Sequence, residues 1–264
     1  EAYGSGMFDD ISYAGVADMP MAEFWIGGGA METLKPMASA GHVYGKNVIG
    51  AEAFTAVTPV AKWMNHPASI KALGDTAFCE GINRFVFHRY AMQPWLNRTP
   101  GMTMGPWGIH YERTETWWEQ SKAWHEYVAR CQHLLRQGQF VADVCFMEAE
   151  GAPHRFVAPI PAAECGAIPD RPAYHYDGCP AELVRGEMKV QDGSVVLPSG
   201  MSYRLLVLPS YNADGRPVMH VEGDYVYTVG PIPKVETMTP PLLRRIKELV
   251  EAGATVLGTR PLKS

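Results

Sequence analysis

Three polar residues close apolar runs in a way that suits acid–base chemistry: Glu23 in Met19-Pro-Met-Ala-Glu-Phe-Trp25, Glu52 in Asn47-Val-Ile-Gly-Ala-Glu-Ala-Phe-Thr55, and His88 in Arg84-Phe-Val-Phe-His88. Cleaving a glycosidic bond takes one carboxylic acid at the leaving oxygen and one carboxylate that activates water or attacks carbon. Inversion places that pair roughly 6.5–9.5 Å apart so that water fits between carboxylate and sugar. Glu23 and Glu52 are the first candidates as the catalytic pair, with Glu1 and Glu150 as strand-end alternates. The rings of Phe24, Trp25 and Phe54 beside them would lower local polarity and raise the pKa of an acid. For any single glutamate an ion pair or helix cap is the ordinary reading, but charge at the ends of successive apolar strands favours function. His88 reads equally as a core histidine and as a ligand for a sugar hydroxyl.

The spacing of these residues implies the elements that hold them. Glu23 and Glu52 are 29 residues apart and Glu52 and His88 are 36 apart, one strand–helix unit each. Short runs of small and β-branched residues read as buried parallel strands. A helix over 31–44 stops at Gly45, and another from Ser69 to Glu80 stops at Gly81. A long loop over 90–111 follows, of a length that inside a compact domain is usually functional. Thr116 and Glu119 form a capping-box pattern opening a helix whose stripe of Trp117, Trp124, Tyr127, Val128, Cys131, Leu134 and Leu135 is core. Phe140 to Met147 is the next strand, ending in Glu148 and Glu150. Residues 151–176 are rich in Pro and Ala and read as a linker. Beyond them lie a hairpin with its turn at Gln191-Asp-Gly193, a strand at 204–209, a helix opened by Thr239-Pro-Pro and a strand at 254–257. The fold class is α/β: residues 1–155 form one βα-repeat unit, and residues 156–264 a linker and part of a second, flavodoxin-like or amidotransferase-like unit.

With 264 residues, 47% of them hydrophobic and 19% charged, the composition is that of a globular protein. A formal charge of −5 with scattered basic residues argues against a nucleic-acid partner. No apolar run is long enough to span a bilayer, which argues against a membrane partner. The five cysteines lack metal-ligand spacing. Seven Trp and twelve Tyr offer platforms for a carbohydrate substrate, though most such rings are core. The chain begins at Glu1 without Met and is read as a piece of a longer protein, inactive alone, whose remaining domains are its partners.

Taken together, Glu1-Ala-Tyr-Gly, Glu23-Phe-Trp25, Gly50-Ala-Glu-Ala-Phe-Thr55, Phe78-Cys-Glu-Gly-Ile-Asn-Arg84, Gln93-Pro-Trp95, Pro100-Gly-Met-Thr-Met-Gly105 and Arg113-Thr-Glu-Thr-Trp-Trp118 resemble glycoside hydrolase family 106, the α-L-rhamnosidases. So does the pairing of Tyr203-Arg-Leu-Leu-Val-Leu-Pro209 with Leu249-Val-Glu-Ala-Gly-Ala-Thr255. The resemblance implies the later strands of a (β/α)8 TIM-type catalytic barrel joined to an α/β accessory domain. It implies inverting hydrolysis of terminal α-L-rhamnosyl residues from polysaccharides, calcium at the sugar site, and a secreted or periplasmic parent. His88, Gln93, Trp95, Trp25 and Arg113 are the expected substrate-binding residues, with Arg113 read equally as a structural partner of Glu112. Met92 stands where the family leads one to expect histidine. Another barrel glycosidase, such as a β-galactosidase-like enzyme, and a non-catalytic carbohydrate-binding module are the alternatives.

Overall fold

The computed structural model describes residues 2–3, 8–103, 105–152, 156, 174–209, 217–222, 225–231 and 236–264, with side chains throughout except at 2–3, 217–222 and 225–231. Glu1, Met104, Cys165 and most of the 151–176 linker lie outside the described residues.

The fold is mixed α/β, with two four-stranded parallel sheets. In the first, β1 (Ala2–Tyr3), β2 (Pro20–Trp25), β3 (Gly50–Thr55) and β4 (Arg84–Phe87) lie in chain order, with α1 (Asp10–Gly15), α2 (Leu34–Val43) and α3 (Pro67–Cys79) as the crossovers. Strand alternation divides this sheet cleanly. Ala22, Ala51 and Phe85 share one face with Phe24, Ala53 and Phe87, while Glu23, Glu52 and Val86 share the other. The first face is packed. Phe24 meets Phe54 and Phe85 edge-on at 5.0 and 5.4 Å, and Phe54 reaches Trp124 on α4 (Lys122–Leu135) at 6.3 Å. Helix α3 approaches at Gly74, where a Cβ would lie 3.1 Å from Phe54. Phe24 and Phe54 therefore do not wall the carboxylates; they pack beneath the strands.

The second sheet has the order β13 (Val256–Leu257), β10 (Leu205–Val207), β5 (Val144–Met147), β6 (Tyr176–Cys179). Strand β5, which the sequence groups with the first unit, is hydrogen-bonded between β10 and β6 instead. Helix α2 separates the two sheets and is buried along nearly its whole length, which its run of small residues Ala38, Ser39, Ala40 and Gly41 allows. On one side Gly41 packs against Ile49, where a Cβ would clash at 2.5 Å. On the other, the Ser39 hydroxyl accepts from the Gly178 N–H at 3.0 Å. Fully buried Asp177 fixes this seam, 2.8 Å from His42 Nδ1, 3.6 Å from Lys35 Nζ and accepting from the Tyr203 hydroxyl at 3.0 Å.

Helix ends differ from the sequence reading by one turn. The 31–44 segment opens as a 3-10 turn, Met31–Thr33, before α2. Helix α3 starts at Pro67 rather than Ser69, because Ser69 closes a reciprocal cap with His66. Trp118–Gln120 is another 3-10 turn, so α4 starts later than the Thr116–Glu119 pattern predicts. The hairpin forms as read, between β7 (Lys189–Gln191) and β8 (Ser194–Val196), around Asp192 and Gly193 at φ 51° and 79°.

Candidate active site

The second face of the first sheet brings Glu23 and Glu52 side by side, because parallel pairing sets them in register on β2 and β3. His88 joins them by parity: it lies two residues past Val86, the partner of Glu52 on β4, and so points to the same side one step further on. Its Nδ1 is 3.8 Å from Glu52 Oε1. Thr55 reaches Glu52 through a bulge. Residues three apart on a regular strand face opposite ways, but the register shifts opposite Phe24/Trp25, where Phe54 has φ 64°, so Thr55 returns to the face of Glu52. Its hydroxyl donates to Glu52 Oε1 at 2.5 Å. A positive φ at a bulky residue is strained, and strain of this kind concentrates at functional sites.

Glu23 is pinned at backbone and side chain. Thr33 Oγ1 accepts from its N–H at 3.1 Å and donates to its carbonyl at 3.0 Å. The Trp25 indole N–H donates to its Oε2 at 3.0 Å.

The long loop folds against this face. Trp107 meets Trp25 edge-on at 5.7 Å, and Gly108, at φ 75°, packs so tightly on His88 that a Cβ would lie 2.8 Å from Nδ1. Gln93 is occupied inside the loop: its amide donates to the Met102 carbonyl and accepts from the Met102 N–H, both at 3.0 Å. Arg113 donates to the carbonyls of Gln93 and Trp95 at 3.2 and 3.3 Å, latching the loop, while the Trp95 ring is 57% exposed. Arg113 is thus not paired with Glu112, whose carboxylate instead accepts from the N–H and hydroxyl of Thr114. Glu150 lies elsewhere, three residues past the end of β5 in the second sheet. It accepts from the N–H and hydroxyl of Thr239 at 2.7 and 2.6 Å, at the start of α6 (Pro240–Glu251), and stands 3.8 Å from Arg185.

Sequence reasoning missed the polar layer adjoining His88. Arg89, His110 and Glu115 are buried, and all three guanidinium nitrogens of Arg89, both ring nitrogens of His110 and Glu115 Oε1 lack hydrogen-bond partners among the described residues. Burial pushes the pKa of His88 down, against the pull of Glu52, and Arg89 adds to the depression. It likewise lowers Arg89 and His110, each partly offset by Glu112. Glu115 is pushed up to about 7 by burial and then by the Glu112 charge. The signal was present in the sequence: His88-Arg89 is an ionisable pair directly after an apolar strand, and His110 to Glu115 recurs at the loop's far end.

A cavity of about 570 Å³ lies at the other end of the strands, lined by residues including His42, Asn47, Asn83 and Phe140, and contains neither glutamate. Three metal-ligating groups converge at Asp9, Asp10 and Glu148; the described residues beside Glu23 and Glu52 form no such set, and no step below runs through a metal.

The profile of the alpha-L-rhamnosidases, glycoside hydrolase family 106, matches residues 1–221. This chain belongs to that family. It is similar to a rhamnosidase from Novosphingobium sp. PP1Y, with 29% identity and a TM-score of 0.75 over 97% of this chain and 22% of that one. It is also 34% identical over 260 residues to a Formosa agariphila protein that carries a provisional beta-glucuronidase name, covering 98% of this chain and 19% of the relative. The chain therefore spans about a fifth of the length of these relatives.

Proposed function

We propose that Glu23 and Glu52 are the carboxyl pair of an inverting glycoside hydrolase that releases terminal α-L-rhamnosyl residues from polysaccharides or small rhamnosides. The observation that carries this reading is their register: two glutamates abreast on parallel strands, on the face opposite the packed rings of Phe24 and Phe85. Sheets built only of parallel strands normally have both faces covered. Further strands closing a (β/α)8 barrel would cover this one and make it the lined mouth of a pocket, where catalytic groups of such barrels sit. Burial favours the neutral form of His88, which stands beside Glu52 and is assigned to a sugar hydroxyl. Trp25, Trp107 and Trp95 supply ring surface for a pyranose. Arg113 and Gln93 serve by shaping the loop.

One observation favours a second reading. Neighbouring strands stand about 4.8 Å apart, so carboxyl groups rising side by side from Glu23 and Glu52 would lie near the roughly 5–5.5 Å of a retaining pair rather than at the wider spacing inversion needs. The inverting reading requires the side chains to diverge, and their partners differ accordingly: the Trp25 indole holds Glu23, whereas Glu52 leans to Thr55 and His88. The full-length protein should be assayed on nitrophenyl α-L-rhamnoside and β-D-glucuronide, following the anomeric protons by NMR early in turnover. Rhamnose appearing first as the β-anomer supports inversion, and the α-anomer assigns a retaining pair. Sugar binding without turnover of either substrate would make this a binding module.

A further inference from the structure

The seam between α1 and the second sheet brings three carboxyl groups together. Asp9 caps α1, its side chain accepting from the Ser12 N–H at 2.7 Å, and Asp10 is the first helical residue, its carboxylate accepting from the Phe156 N–H at 3.1 and 3.2 Å. Glu148 directly follows β5 and its N–H donates to the Cys179 carbonyl at 2.9 Å. One ligand oxygen from each of the three carboxylates lies within 4.8 Å of the others. Three oxygens no more than 4.8 Å apart share a point at most about 2.8 Å from each, slightly beyond calcium–oxygen distances of about 2.3–2.6 Å, so a small inward turn of the side chains lets a single ion touch all three.

Glu148 points to a missing ligand independently of this clustering. It is 7% exposed, and neither of its buried oxygens has a hydrogen-bond partner among the described residues. A buried carboxylate without donors is held only as a neutral acid or against a cation. Burial pushes its proton affinity well up, and the charged neighbours described around it, Asp9, Asp10 and Glu182, are themselves acidic and add to the rise. The bonds already made to Asp9 and Asp10 do not exhaust their carboxylates, each of which offers about four lone-pair sites.

We propose that Asp9, Asp10 and Glu148 bind a hard divalent cation of the calcium class that clamps α1 to the end of β5. This site is separate from Glu23 and Glu52, which lie side by side on β2 and β3 of the first sheet. A cation here compensates the buried Glu148 carboxylate and ties the N-terminal unit to the second sheet. Water and further oxygens complete its coordination.

The test uses the full-length protein stripped with chelator, then dialysed against calcium chloride or magnesium chloride. Bound metal is counted by mass spectrometry and melting followed by circular dichroism. Glu148→Gln and Asp9→Asn should each bind one calcium ion fewer per chain than wild type and lose the part of the calcium-induced rise in melting temperature that this site supplies. Asparagine at position 9 still caps the helix, so that variant reports on the site even where Glu148→Gln fails to fold. Equal calcium content and an equal calcium response in wild type and both variants would overturn the proposal. In that case Glu148 is a protonated acid, and Glu148→Gln, which imitates it, melts at or above wild type without metal.

Discussion

Replacing Glu52 with Gln in the full-length protein changes charge and proton affinity while keeping shape. The Gln carbonyl can still accept the Thr55 hydroxyl, so the contact that orients the side chain through the Phe54 bulge survives. A positioned general acid or base contributes about 10²–10⁴-fold, which at about 1.36 kcal/mol per decade is about 2.7–5.4 kcal/mol of barrier. Weakening one hydrogen bond from charge-assisted to neutral costs folding about 1 kcal/mol. Turnover should therefore fall by at least about a hundredfold while melting moves by only a few degrees. Thr55→Val probes the same atom from the other side: it removes the donor, leaves the carboxylate, and should cost turnover about tenfold, near one hydrogen bond to a charged group. The assay is kcat/KM on nitrophenyl α-L-rhamnoside beside a thermal melt of each variant. Glu52→Gln with kcat/KM within about threefold of wild type, against the loss of general acid–base catalysis expected above, would remove Glu52 from the pair. The same result for Glu23→Gln would move the search to Glu112 and Glu115 in the layer beside His88.

Three other outcomes follow from contacts already described. Gly108→Ala places a Cβ against His88 at a backbone angle that alanine disfavours, so it should cost about 1–2 kcal/mol of stability. It should also lower turnover by about a hundredfold through displacement of His88, and unchanged kinetics would show that His88 plays no part. Glu150→Ala removes the acceptor at the start of α6 and should cost about 0.5–2 kcal/mol in urea unfolding. Turnover should stay at the wild-type level, and its abolition with a native melt would restore Glu150 as a catalytic candidate. Glu115 binds its proton more tightly folded than unfolded, so its ionisation costs folding: its contribution is fully favourable below pH 4.5 and is lost as pH rises to about 7. Glu115→Gln should flatten that part of the stability–pH curve, whereas an unchanged slope would assign it to other groups.

What the sequence determined by itself was the order and kind of elements and the polar residues at their ends. Apolar runs of four to six residues, glycine stops after helices and the Asp192-Gly193 turn are local signals, each set by backbone geometry over a few residues, and β2, β3, β4 and the hairpin formed where those signals lie. Spacing by whole strand–helix units placed Glu23, Glu52 and His88 on consecutive strands because a parallel crossover needs a helix to return the chain. Tertiary structure decided what depends on register and on convergence. The face shared by Glu23 and Glu52 follows from pairing between strands, and one bulge at Phe54 reverses the parity on which any period-two reading rests. The rings at Phe24 and Phe54 look like neighbours of the carboxylates along the chain yet belong to the opposite face. Gln93 and Glu150 look available in sequence and are occupied by a loop backbone and a helix start. Strand β5 chose the second sheet, and Glu148 met Asp9 and Asp10, through packing across α2, a contact between distant segments that no local pattern encodes.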